Sequence, residues 1–114
     1  MNEKKIRVRS KIWVEAGGRP ILGPGRKELL RAVDEQGSIS KAARLLKITY
    51  RKAWGQIKCM EEQFGLPLVY KQSGGMGGGG AHLTPEAHDL LGKYERLIQG
   101  MEKKVNRKFK GIFL

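Results

Sequence analysis

A mainly α fold with two small β units is predicted by three features of this 114-residue sequence. Apolar residues recur at helical spacing through the middle of the chain and again after Pro85. Residues 4–14 alternate, and a glycine run sits between two short strand-like stretches. The length suits one domain and is too short for two ordinary cores. With 39% hydrophobic and 30% charged residues, the chain carries enough apolar surface to fold.

The alternation puts Ile6, Val8, Ile12 and Val14 on one side and Lys5, Arg7, Arg9, Lys11 and Trp13 on the other, the pattern of a half-buried strand over 4–14. Gly17 and Gly18 supply a turn, Pro20 to Leu22 can return as an edge strand, and Gly23-Pro24-Gly25 closes this N-terminal pair. A first helix follows from about Arg26 to Gln36, burying Leu29, Leu30 and Val33 and stopping at Gly37. Ser38 or Ser40 can cap a short helix through Leu46. Thr49 can cap a longer one from Tyr50 to about Phe64. The tight Lys47-Ile48-Thr49 connection, with small Ala43 where the two helices must cross, is the pattern of a helix-turn-helix at about 38–64.

On the second of these helices Ala53, Ile57, Met60 and Phe64 fall on one face, directed at the core. Arg51, Gly55 and Lys58 point the opposite way, with Lys52 and Cys59 beside them and Trp54 between the two faces. A glycine in a helix interior costs roughly 1 kcal/mol against alanine, so Gly55 needs a reason; close approach of a ligand to the helix backbone supplies one.

Leu68 to Gln72 reads as a strand, Ser73 to Gly80 is nearly all glycine, and Ala81 to Leu83 can return, forming a hairpin wing over about 68–84. Glycine content alone would favour a disordered surface loop. Gly75, Gly77 and Gly80 spell a G-x-G-x-x-G, but no βαβ unit surrounds it and no helix opens at its end, so a dinucleotide loop is rejected. The last helix starts with Thr84 as N-cap and Pro85 at the first position. Ala87, Leu91, Tyr94, Ile98, Met101 and Val105 then make a heptad seam, widened by Leu90 and Leu97. A helix to Lys108 would be on the order of 36 Å long, more than a small domain's width. The expected seam for a second subunit is therefore Leu91, Tyr94, Ile98, Met101 and Val105, the alternative being an amphipathic helix that lies on its own domain. Residues 1–84 and this helix with its tail, 85–114, are expected to form one domain.

Charge narrows the function. Twenty-three Lys and Arg against 11 Asp and Glu give a net +12, and the pI is near 10.1, so a polyanion is the expected partner. Between Gln36 and Met60 there is no acid, while Lys41, Arg44, Lys47, Arg51, Lys52 and Lys58 are all basic. Basic groups inside an apolar-patterned segment are held in fixed geometry, unlike those of a tail. No apolar stretch has membrane-span length and no signal peptide opens the chain, so a cytoplasmic location is expected. The single Cys59 excludes an intrachain disulfide. His82 and His88 lie in different elements and Cys59 has no evident base, so no catalytic residue, metal or cofactor is assigned.

The motifs Gly-Pro-Gly-Arg (23–26), Gly-Ser-Ile-Ser-Lys-Ala-Ala (37–43), Thr-Tyr-Arg-Lys-Ala-Trp (49–54), Gly-Gly-Met-Gly-Gly-Gly-Gly-Ala (74–81) and Leu-Thr (83–84) resemble the DNA-binding domain of ModE-type molybdate-responsive regulators. More distantly, they resemble that of LysR-type regulators. The resemblance implies a winged helix-turn-helix transcriptional regulator that binds specific double-stranded DNA and dimerises through its long C-terminal helix. The chain offers no room for the family's molybdate-binding domain, so oxyanion sensing is not expected. Thr49, Tyr50, Arg51 and Lys52 match the family's DNA-contacting stretch, and the wing glycines, among them Gly75, Gly77 and Gly78, match its backbone-contacting loop.

On chemical grounds Arg51 and Lys52 suit guanine edges. Ser40 and Lys41 suit phosphates, and Lys71 adds charge at the wing base. Gly55 and Lys58 complete the expected DNA face. Lys47 stands where many such turns have glycine and can demand a left-handed backbone. The alternative function class is an architectural protein that binds nucleic acid without sequence preference. An adaptor that binds protein through the same domain is disfavoured by the acid-free stretch.

Overall fold

The computed structural model describes residues 5–72 and 80–114. The Gly17-Gly18 turn joins β1 (Val14–Ala16) to β2 (Arg19–Leu22) as an antiparallel pair with an irregularity between Val14 and Glu15. The alternating residues ahead of Val14 form no ladder, contrary to the expected strand over 4–14. Strand β2 is four residues long and its last residue, Leu22, already pairs with Val14, so the ladder stops there. The segment ahead of it lies beside the C-terminal helix: the Tyr94 hydroxyl donates to the Ile12 carbonyl at 2.6 Å.

Helix α1 (Pro24–Gln36) opens with proline in its first turn and ends at Gly37, whose φ of 65° is the left-handed value that favours glycine. In α2 (Ile39–Leu45) the cap is Ser38, whose hydroxyl accepts from the Lys41 N–H; Ser40 lies in the first turn with its side chain exposed. Helix α3 (Tyr50–Phe64) is capped as expected, the Thr49 hydroxyl accepting from the Lys52 N–H at 3.0 Å. Lys47 is the one described non-glycine residue with positive φ, at 59°. Its geometry lets the next amide, Ile48 N–H, reach back to Ala43 O at 3.0 Å.

Strands β3 (Val69–Gln72) and β4 (Gly80–Leu83) pair antiparallel, Tyr70 opposite His82. The wing tip lies outside the described residues, and with it the expected contacts at Gly75, Gly77 and Gly78. Two side chains bolt this hairpin to the helices. The Glu61 carboxylate accepts from the Leu68 and Val69 amides at 2.8 and 3.3 Å. The Thr84 hydroxyl donates to Pro67 O at 2.6 Å while accepting from the Ala87 N–H that it caps.

Helix α4 spans Pro85–Phe113, five residues past the expected end. At 1.5 Å per residue it is about 43 Å long, and it stretches the molecule to 61 Å along its longest axis. The core gathers Leu22, Leu29, Leu30, Val33, Ile57, Met60, Leu68 and Leu91, all essentially inaccessible. Arg31 and Glu95 form an ion pair that holds α4 to α1. No helix of the described residues is long and apolar enough to cross a membrane.

Candidate nucleic-acid interface

Because Ala53, Ile57 and Met60 are buried on one side of α3, the helix period forces Arg51, Trp54, Gly55 and Lys58 outward, and all four are exposed. A Cβ built on Gly55 would meet nothing within 4 Å. Packing inside the chain therefore does not require this glycine, and its bareness is presented wholly to the outside. Trp54 is 41% exposed. Its ring carries the Lys58 ammonium 5.5 Å from its centroid. The helix period alone puts Trp54 between two faces; the signal for its exposure is its position three residues after Arg51, on the outward stripe.

Lys58 serves the fold as well as the surface, since its ammonium lies 3.3 Å from Glu61. Burial pushes the Glu61 carboxyl up, but the Leu68 and Val69 amides and the Lys58 charge outweigh it, and the group titrates below its ordinary value. Lys58 is thus partly neutralised by the carboxylate that anchors the wing.

Tyr50 and Lys71, expected from separate elements, come together: the Lys71 ammonium donates to the Tyr50 hydroxyl at 3.4 Å. The wing is thereby set against one flank of α3. Ser40 and Lys41 are exposed at the start of α2, near the wing base, where the Ala81 N–H donates to Gly37 O at 2.9 Å. Thr49 is occupied as a cap acceptor, which leaves its hydroxyl proton to donate elsewhere. Lys52 lies about 100° around the helix from Arg51, on the flank away from Tyr50. There it lines a cleft with Gln56 and the N-terminal segment.

The expected subunit seam divides. Leu91 and Tyr94 are buried within the domain itself, against the core and the Ile12 region, so neither is available to a second chain. The reason is that α4 spends its first three turns as a core helix. Ile98 is half-buried against that core; Met101 is exposed and Val105 partly so. Leu97, expected only to widen the seam, is exposed.

Comparison with known proteins agrees with this geometry. The family model for bacterial regulatory helix-turn-helix proteins of the lysR family matches residues 26–88, which run from the start of α1 through the wing into α4. The molybdenum-pterin-binding protein MopB of Rhodobacter capsulatus is 36% identical over 96 residues, covering 84% of this chain and 35% of that protein. The transcriptional regulator ModE of Haemophilus influenzae is 36% identical over 81 residues, covering 71% of this chain and 32% of that protein. The chain thus spans about a third of the length of the curated relatives it matches. Among solved structures, the BenM DNA-binding domain in complex with benA site 1 DNA superposes with a TM-score of 0.54 at 26% identity, covering 75% of this chain and 91% of that one. The helix-turn-helix, the wing strands and the start of the long helix all fall within the matched family segment, and the chain belongs to the lysR family of bacterial regulatory helix-turn-helix proteins.

Proposed function

We propose that this chain is a sequence-specific, double-stranded DNA-binding transcriptional regulator of the ModE-like kind, acting as a homodimer. The observation that carries the reading is the outward face of α3: Arg51 and bare Gly55 lie exposed in an acid-free stretch, beside a wing base anchored through Tyr50 and Lys71. A helix about 10–12 Å across fits a major groove about 12 Å wide. The lack of a side chain at Gly55 lets the backbone approach the base edges. Arg51 then has the forked donors that suit guanine O6 and N7, with Trp54 beside it offering an apolar surface to a thymine methyl. Tyr50, Lys71, Ser40 and Lys41 are assigned to phosphates. The matched relatives, a transcriptional regulator and a DNA-bound domain, support this reading.

The second subunit is assigned to the part of α4 not used by the core. Leu97, Met101 and Val105 continue the apolar stripe beyond Tyr94, and about 28 Å of helix lies past that residue. A two-fold dimer would place two copies of α3 about one helical turn of DNA apart, roughly 34 Å, or a multiple of it.

Arg51→Ala tests base reading. On a site selected from a random duplex library, the loss should be about 1–3 kcal/mol, with little change on unselected duplex. Equal weakening of both would identify the architectural alternative as the better account.

A further inference from the structure

The recognition helix has two flanks, and the wing occupies only one. The other borders a cleft of about 480 Å³ between α3, the start of α1 and the residues leading into β1. Lys52 and Gln56 line it from α3, while Lys11 and Trp13 line it from the N-terminal segment. The segment is set closely: a Cβ on Gly23 would come within 3.2 Å of the Trp13 Cβ, so a side chain there would press on Trp13 at the α1 entry. The Trp13 indole N–H donates to Glu15 at 3.2 Å, and the Lys11 ammonium lies 6.0 Å from the indole centroid.

Charge in the cleft is unevenly committed. The Arg26 guanidinium is turned into the fold, donating to Pro20 O and Ile21 O at 3.1 Å each. Glu28 is the one acid among the lining residues. Lys11 and Lys52, both exposed, form no ion pair among the described residues. Arg7 and Arg9 behave differently, lining a separate hollow with Glu102 and Asn106 of α4. Lys11 stands between the two surfaces, lining the cleft beside α3 and also a smaller hollow against α4 with Glu28, Tyr94 and Glu102.

We propose that the N-terminal segment with its β1–β2 hairpin acts as a second wing, Lys11 and Lys52 each neutralising a DNA backbone phosphate on the side of α3 opposite the glycine wing. The inference rests on the DNA-binding reading above and deepens it. A helix that fills the major groove has a phosphate row on each side. Tyr50 and Lys71 meet one row, and Lys52 lies about 200° around the helix from Tyr50, toward the other. Exposed ammonium groups from two elements lining one open cleft suit backbone phosphates, which need charge and tolerate variable geometry. Lys52 is accordingly assigned to backbone contact, leaving Arg51 as the principal base reader.

The test uses the full chain and a fluorescent mixed-sequence duplex of about three helical turns, with anisotropy followed as salt is raised. Lys11→Ala should flatten the slope of log affinity against log salt by about 0.9, as should Lys52→Ala, because each phosphate contact releases about that many counterions. Lys93→Ala removes the same charge from α4, where it pairs with Asp89 at 2.9 Å, and should leave the slope unchanged. A Lys11→Ala slope equal to that of the parent chain, with the parent still binding, overturns the second wing alone. A slope that falls equally for Lys93→Ala also overturns it, because net charge would then be the cause. Failure of the parent chain to bind any duplex would overturn the DNA-binding reading itself.

Discussion

The two halves of α4 carry the same apolar period and meet different fates. From Pro85 to Tyr94 the stripe is core: Ala87, Leu91 and Tyr94 are buried, and Arg31 and Glu95 lock the helix to α1. From Met101 to Leu114 no residue is buried, and Ile112, Phe113 and Leu114 are largely exposed. Phe109 and Phe113 stack on each other at 4.8 Å between centroids, covering part of their own surface. A heptad pattern therefore reports that a helix has an apolar side without saying what covers it. Where the domain is present, the domain covers it; beyond the domain, the same residues are left for another surface.

The largest expected effect separates these halves by stability. Leu91→Ala should lower unfolding free energy by about 2–5 kcal/mol in urea denaturation, since the side chain is wholly buried and its removal leaves a cavity. Ile112→Ala, 76% exposed, should stay within about 0.5 kcal/mol of the parent. Comparable losses at both positions would mean that the far half is as much a core element as the near half.

Next comes assembly. Leu97→Glu with Met101→Glu places charge on the free stripe and should convert a dimer to a folded monomer in sedimentation or light scattering, with at least a 100-fold weaker association. Helical content by circular dichroism should be unchanged. A dimer of unaltered stability in this variant would move the seam elsewhere.

A smaller effect concerns the boundary between halves, where Tyr94 ties α4 to the N-terminal segment. Tyr94→Phe should cost about 0.5–1.5 kcal/mol, the net worth of its hydrogen bond to Ile12 O. Burial raises the Tyr94 hydroxyl above its ordinary value near 10, because the charged form would have to be desolvated. Below the unfolded value the native state keeps the full contribution. It is lost as pH rises above about 10 and through the raised folded value. The Phe variant should lack that alkaline component in a pH series of thermal melts.

The smallest expected change lies in the acid limb at the wing anchor. Glu61 titrates below its ordinary carboxylate value, so its contribution is present above that value and is lost as pH falls through the lowered one. Glu61→Gln should lose that contribution at neutral pH and flatten stability against pH below about 4.5 in a pH series of thermal melts.

Local features were legible from the residues alone. The Thr49 cap, the Gly37 stop and the left-handed Lys47 each depend on a handful of neighbouring atoms, and each occurs as the local chemistry demands. The outward stripe of Arg51, Gly55 and Lys58 was legible for the same reason, since the helix period makes one face the complement of the buried one. Trp54 was harder, because an indole at the edge of two faces can be claimed by either. Choosing Ser38 over Ser40 as the α2 cap needed the path of the chain out of Gly37.

What the sequence by itself determined is thus the helices with their caps and stops, the helix-turn-helix spacing and the charged character of the outward face of α3, all consequences of interactions within a few residues. Only the tertiary structure decided that residues 7–12 lie beside α4, that Lys11 and Lys52 line one cleft, that Lys71 meets Tyr50, and that Leu91 and Tyr94 are spent on the domain's own core. Each joins residues far apart in the chain, as Tyr94 and Ile12 are 82 positions apart. The physical reason is that periodicity states which side of an element is apolar or basic, whereas the partner of that side is chosen by packing the whole chain against itself.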